Sequence, residues 1–136
     1  MSIRIDCYLV KMMEFKKANP KALFYVITHR SGSLLSPSIK LLLDAGIMPL
    51  PLTIEEKKRK KKGEKIKRRY KPKISFNEYK ERFIKEIKNN KGALIILKNI
   101  KNLYDLGNTI FLVCYEKDHT HCHRSIIKEL IEDYHE

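Results

Sequence analysis

Thr109 to Tyr115 is an uncharged run of β-branched, apolar and aromatic residues, the pattern of a strand buried on both faces of a sheet. Six polar residues follow, Glu116 to His121. From Cys122 to Tyr134 the apolar positions Ile126, Ile127, Leu130, Ile131 and Tyr134 then recur at helical spacing. The segment therefore predicts a central strand, a loop and a helix, with Cys122, His123 and Arg124 in the first helical turn. Upstream, Ile3, Ile5, Cys7 and Leu9 alternate with Arg4, Asp6, Tyr8 and Val10, which predicts a first strand. Lys16 to Pro20 reads as a connection, and Leu23 to Thr28 as a second strand leading to His29-Arg30-Ser31-Gly32.

Ser36-Pro37 has the chemistry of a helix start, with a capping hydroxyl followed by proline at the first helical position. Ile39, Leu42 and Leu43 supply the apolar stripe, and Gly46 fits just past the end. The two prolines in Ile47 to Leu52 remove backbone donors, which predicts an extended edge or loop. Ser75 and Glu78 match a capping box, with Ile74 and Tyr79 as its hydrophobic staple. A helix is therefore expected to begin there, bury Phe76, Tyr79, Phe83, Ile84 and Ile87, and end at Asn89-Asn90-Lys91-Gly92. Ala93 to Asp105 fits a strand at its start but keeps helical spacing throughout, with Gly107 as a stop; helix is the expectation.

Strands alternating with helices predict an α/β fold with a mostly parallel sheet and helices on both faces, within one domain over residues 1–136. Apolar runs are far shorter than the ~20 residues of a membrane span, and Arg4, Asp6 and Lys11 interrupt any N-terminal signal. Three cysteines cannot pair fully within one chain, so a reducing, cytoplasmic setting is expected. The absence of Gln and Trp, with abundant Lys, Glu and Ile, resembles thermophile usage.

Charge changes the picture in one place. The net charge is +13, and Lys57 to Lys73 alone carries +11, leaving the rest nearly neutral. Residues 55–73 have almost no apolar side chains beyond Ile66 and Tyr70, which predicts a flexible excursion. Its Lys57, Lys58, Arg59, Lys60, Lys61, Lys62, Lys65, Lys67, Arg68 and Arg69 form a candidate nucleic-acid-binding arm. The bland alternative is a solvated loop.

The second candidate site is the turn after Tyr115. A helix N-terminus attracts anions through unpaired N–H groups and the helix dipole. Arg124 and His123 there, with Arg30 from the loop after the second strand, are candidate anion-binding residues at the carboxyl ends of the sheet. Arg124 is open to a second role, an ion pair with an acid such as Glu116. Cys122 is a candidate nucleophile, its pKa lowered by the helix and by neighbouring cations; it can equally be a small buried residue packing the corner. Glu116 is a candidate base. Cys122 and Arg124 stand too close together for the phosphate loop of cysteine phosphatases. Cys114, His119, His121, Cys122 and His123 do not form paired ligand hooks, so no metal and no cofactor is expected. Cys114 reads as core, and His119, His121 and His135 as exposed polar residues.

Thr28-His-Arg30, Leu35-Ser-Pro-Ser38, the Phe-x-x-Tyr-x-x-x-Phe pattern of Phe76 to Phe83, and Cys114-Tyr-Glu-Lys117 followed by Cys122-His-Arg124 resemble the family called domain of unknown function 488, nearest its archaeal-type branch. The resemblance runs in segments from Phe24 to Leu130 and implies a small three-layer α/β domain. Many bacterial members carry an Asp-Val-Arg motif that this chain lacks, so no catalytic aspartate is implied, and the basic run looks like an addition. Three functions follow as expectations: a protein binding a phosphate-bearing ligand, nucleic acid or nucleotide; a cysteine- or carboxylate-dependent enzyme acting on such molecules; or an interaction module without a small-ligand site.

Overall fold

A computed structural model describes residues 2–28, 32–115 and 122–133. Strands β1 (Ser2–Arg4), β2 (Leu23–Val26) and β3 (Thr109–Val113) form a parallel sheet in the order β1-β3-β2. Helices α1 (Met12–Ala18), α2 (Ile39–Asp44), α3 (Ile54–Lys61), α4 (Phe76–Lys88), α5 (Lys91–Asp105) and α6 (His123–Glu132) complete the described elements, with a 3-10 turn at Leu9–Lys11. Residues 1–37 with 83–136 make one compact unit, and residues 38–82 another. Among the described residues no helix is long and apolar enough to cross a membrane.

The first unit holds the sheet. β3 is central because both its faces are apolar: Ile110, Phe111, Leu112 and Val113 are completely buried. Strand side chains alternate, so Phe111 and Val113 share one face. There Phe24 stacks on the Phe111 ring at 4.7 Å, Phe15 of α1 meets its edge at 5.6 Å, and the Arg4 guanidinium lies 4.7 Å from its centroid. Ile110, Leu112 and Cys114 take the other face, where α6 packs through Ile126, Ile127 and Ile131 against the sheet and α5. Helices on both faces of a parallel sheet agree with the expected α/β class.

Two N-terminal expectations are corrected. β1 stops at Arg4; pairing resumes only as a bridge from Tyr8 to Cys114, with Leu9 N–H donating to the Cys114 carbonyl at 2.9 Å. Between them the Ile5 and Cys7 carbonyls accept from the Arg124 side chain. A carbonyl spent in that way is lost to a ladder. The expected connection at 16–20 is partly helix, since α1 runs to Ala18 and is closed by Asn19, whose side chain donates to the Phe15 carbonyl at 2.9 Å. α5 forms as expected, capped by Asn90 Oδ1 accepting from Ala93 N–H at 3.2 Å; the same Asn90 read from sequence as the end of α4 starts its successor. Gly107, at φ +94°, provides the left-handed stop before β3.

In the second unit α2 begins two residues later than Ser36-Pro37 suggests. Ser38 is the cap, its Oγ accepting from Leu41 N–H at 3.2 Å, while Ser36 donates to the Ser33 carbonyl in the preceding turn. That shift buries Leu41 and Leu42 and leaves Ile39 54% exposed. Gly46, at φ +72°, ends the helix as expected.

The basic segment contains a helix that its composition does not announce. α3 is set by a full capping box: Thr53 Oγ1 accepts from Glu56 N–H at 3.1 Å, and Glu56 Oε1 accepts from Thr53 N–H at 2.9 Å. Acids at its first turn and lysines at its last both complement the helix dipole. Backbone bonds join Leu50 N–H to the Arg69 carbonyl and Lys73 N–H to the Asp44 carbonyl, both at 2.7 Å. Thr53→Ala is expected to cost about 1 kcal/mol of local helix stability, read as faster amide exchange over residues 56–60. Unchanged exchange there would show that the cap does not hold α3. At the start of α4, Ser75 Oγ accepts from Glu78 N–H at 3.2 Å, as the signature predicts.

Candidate functional site

The carboxyl ends of β2 and β3 and the head of α6 bring three chemically active side chains together in the first unit. Cys114 continues β3 and points to the α6 side of the sheet. Cys122 is the N-cap of α6, and His123 is its first residue. All three are buried, and their sulfur and ring nitrogen atoms lie within 4.8 Å of one another.

His123 is fixed from two directions. Its Nε2 lies 2.5 Å from the Ile27 carbonyl, just beyond β2. A carbonyl only accepts, so Nε2 donates to it; Nδ1 faces Cys122 Sγ at 3.7 Å and donates to that sulfur when both ring nitrogens carry a hydrogen. Phe83 abuts the ring edge-on, with centroids 5.9 Å apart. Cys114 Sγ is 3.9 Å from both ring nitrogens. Equal distances put that sulfur on the perpendicular bisector of the two nitrogens, off the lone-pair direction of either. The trio has metal-ligating residue types, but the ring is not aimed to share an ion with Cys114; chelation would require the imidazole to turn.

Arg124 is completely buried. Its Nη1 donates to the Ile5 carbonyl at 3.0 Å and the Cys7 carbonyl at 2.8 Å, and its Nε donates to Cys122 Sγ at 3.4 Å. The side chain thus ties the segment after β1 to the sulfur at the head of α6.

These neighbours set the charge of Cys122. A hydrogen bond from Cys114 pulls its pKa far below the ordinary thiol value; burial opposes this, and the His123 ring adds to the lowering by hydrogen bond and charge. The Arg124 backbone amide contributes in the same direction, although Cys122 makes no formed side-chain cap bond. Cys7 moves the other way: burial first, then Asp6, push its thiol up. These surroundings favour the thiolate form of Cys122 and disfavour that of Cys7.

Of the residues expected at the site, Cys122, His123 and Arg124 come together. Arg30, Glu116, His119 and His121 lie outside the described residues, as does His135. Two features escaped sequence reading. Cys114 looked like core filling, yet it contacts the Cys122–His123 pair; strand alternation from Ile110 and Leu112 would have placed it on the α6 side. Ile27 acts through its carbonyl, for which a sequence carries no signal.

The ten basic candidates lie on α3 and the chain after it, in the second unit. Arg59 pairs with Glu64 at 2.5 Å, and Arg69 with Glu56 at 2.8 Å. Lys57, Lys58, Lys60, Lys61, Lys62, Lys65, Lys67 and Arg68 are exposed. In the first unit a cavity of about 450 Å³ lies at the opposite end of the sheet, between residues 19–22 and 107–109, with no thiol, imidazole or carboxylate in its lining.

Sheet order and burial define a small parallel α/β protein with Cys114, Cys122, His123 and a fully buried Arg124 gathered at the head of α6. The chain belongs to the domain of unknown function 488 family: the profile described as the active DUF488-N3 subclade matches residues 61–135, more than half of the chain. The match begins inside the basic segment and takes in both the Cys114-Tyr-Glu-Lys and Cys122-His-Arg motifs. No curated protein and no solved structure matches the chain.

Proposed function

We propose that the chain is a cysteine-dependent enzyme of nucleotide or nucleic-acid chemistry, with Cys122 as nucleophile. The observation that carries this reading is the convergence of Cys114, His123 and Arg124 on one buried sulfur at a helix head. A thiolate kept ionised at neutral pH is the reactive form for covalent catalysis, and the matching subclade is described as active. Arg124 acts in this reading as a positioning residue, turned toward the sulfur and the 5–7 backbone. Arg30 and Glu116 keep the anion-binding and general-base roles suggested by their sequence positions. The exposed lysines of the basic segment supply attraction for a polyanionic substrate.

The test is alkylation of Cys122 by iodoacetamide at neutral pH, followed by mass spectrometry, with and without a single-stranded oligonucleotide or a nucleoside monophosphate. The expected result is rapid labelling of Cys122 over Cys7, slowed about tenfold or more by one of these ligands, together with a change in ligand mass that Cys122→Ser abolishes. Labelling that rises only near the ordinary thiol pKa would reject the nucleophile.

A second reading, ligand binding without turnover, is favoured by the concentration of charge in one segment. It predicts protection with no change in ligand mass. In either case, changing Lys57, Lys58, Lys60, Lys61 and Lys62 together to Gln is expected to weaken oligonucleotide binding. It should also flatten the dependence of log K on log salt by up to about 3.5, since each phosphate contact on a single strand contributes roughly 0.7. An unaltered slope would remove the segment from the binding surface.

A further inference from the structure

We propose that Cys114 and Cys122 form a reversible intrachain disulfide when the protein meets a hydroperoxide, with Cys122 as the attacking sulfur and Cys114 as the resolving one. Their sulfurs lie within 4.8 Å of each other beside the His123 ring, and a disulfide of ~2.05 Å requires the two side chains to turn toward one another. Cys7, the third cysteine, packs with Phe111 and Val113 on the opposite face of the sheet, so the pairing is selective.

The chemistry proceeds in two steps. The Cys122 thiolate attacks the distal peroxide oxygen; an S–O bond forms, the O–O bond breaks, and the departing alkoxide takes a proton from solvent to leave as an alcohol, or as water from hydrogen peroxide. Cys122 is now a sulfenic acid. The Cys114 sulfur then attacks Cys122 Sγ; the S–S bond forms, the S–O bond breaks, and the hydroxide leaves with the Cys114 proton as water. The two sulfurs lose two electrons and the peroxide gains them. External thiols reverse the change by exchange. While the disulfide stands, no thiolate remains at position 122, so the same reaction silences any chemistry that depends on it.

The experiment treats the full chain with hydrogen peroxide at neutral pH, blocks remaining thiols under denaturing conditions, and maps tryptic peptides by mass. Lys117 lies between the two cysteines, so cleavage there leaves their peptides joined only through a disulfide. The expected result is a Cys114–Cys122 crosslink that dithiothreitol removes, with Cys7 still alkylated. In Cys114→Ala, Cys122 should instead accumulate as sulfenic acid, captured by dimedone. Wild-type protein carrying sulfinic acid on Cys122, an interchain disulfide or a bond to Cys7, and no Cys114–Cys122 link, would overturn the proposal even if the alanine variant failed to fold. The outcome is independent of the enzymatic reading: a crosslink without ligand protection leaves the oxidation standing and the nucleotide chemistry rejected.

Discussion

Arg124→Met is expected to destabilise the protein by about 3–5 kcal/mol, the range for breaking a buried charged network by removing one partner. The guanidinium is fully buried and supplies donors to the Ile5 and Cys7 carbonyls as well as to the Cys122 sulfur. Methionine refills much of the volume, so the loss falls on acceptors left without their donor, each costing about 1–3 kcal/mol. Arg124→Lys keeps the charge but not the planar fork and should recover only part of the loss. Equilibrium denaturation with guanidinium chloride measures both variants. A Met variant with the wild-type midpoint would mean that the side chain turns outward in solution, free to act as the anion clamp suggested by its sequence position.

Cys122→Ser is expected to remove a pH dependence of stability that the wild type shows. The folded-state pKa of Cys122 is depressed relative to the unfolded chain. In the window between the folded value and the ordinary thiol pKa of about 8.5, the unfolded state therefore holds one more proton than the native state. Stability from this group is fully present above that ordinary value and is lost as pH falls toward the folded pKa. The slope approaches about 1.4 kcal/mol per pH unit within the window. Serine does not ionise there, so the difference in unfolding free energy between wild type and variant should grow as pH rises from about 6 to 8. A constant difference would mean that Cys122 stays a thiol in the folded protein.

The sheet was legible because its central strand is also the chain's most uniformly apolar segment. Thr109 to Val113 sits where a strand buried on both faces must, and α4, α5 and α6 follow from capping signals and helical spacing. Alternation from Ile3 to Leu9 suits a long edge strand, but a side chain more than a hundred residues away takes its carbonyls. Lysine-rich composition gave no sign of the helix over Ile54–Lys61, which the local capping box of Thr53 and Glu56 starts. The candidate site was legible in part. Cys122, His123 and Arg124 are adjacent in sequence and stand together in space, but their employment depends on partners at Ile5, Cys7, Ile27 and Cys114 that only the fold supplies.

The central claim is that Cys122 is ionised at neutral pH, and the direct measurement is the far-ultraviolet thiolate absorbance of the wild type minus that of Cys122→Ser, titrated across pH. A difference of one thiolate is expected already at pH 7 and persists well below it. A difference that appears only as pH climbs through about 8 to 9, the range of an ordinary cysteine, would contradict it.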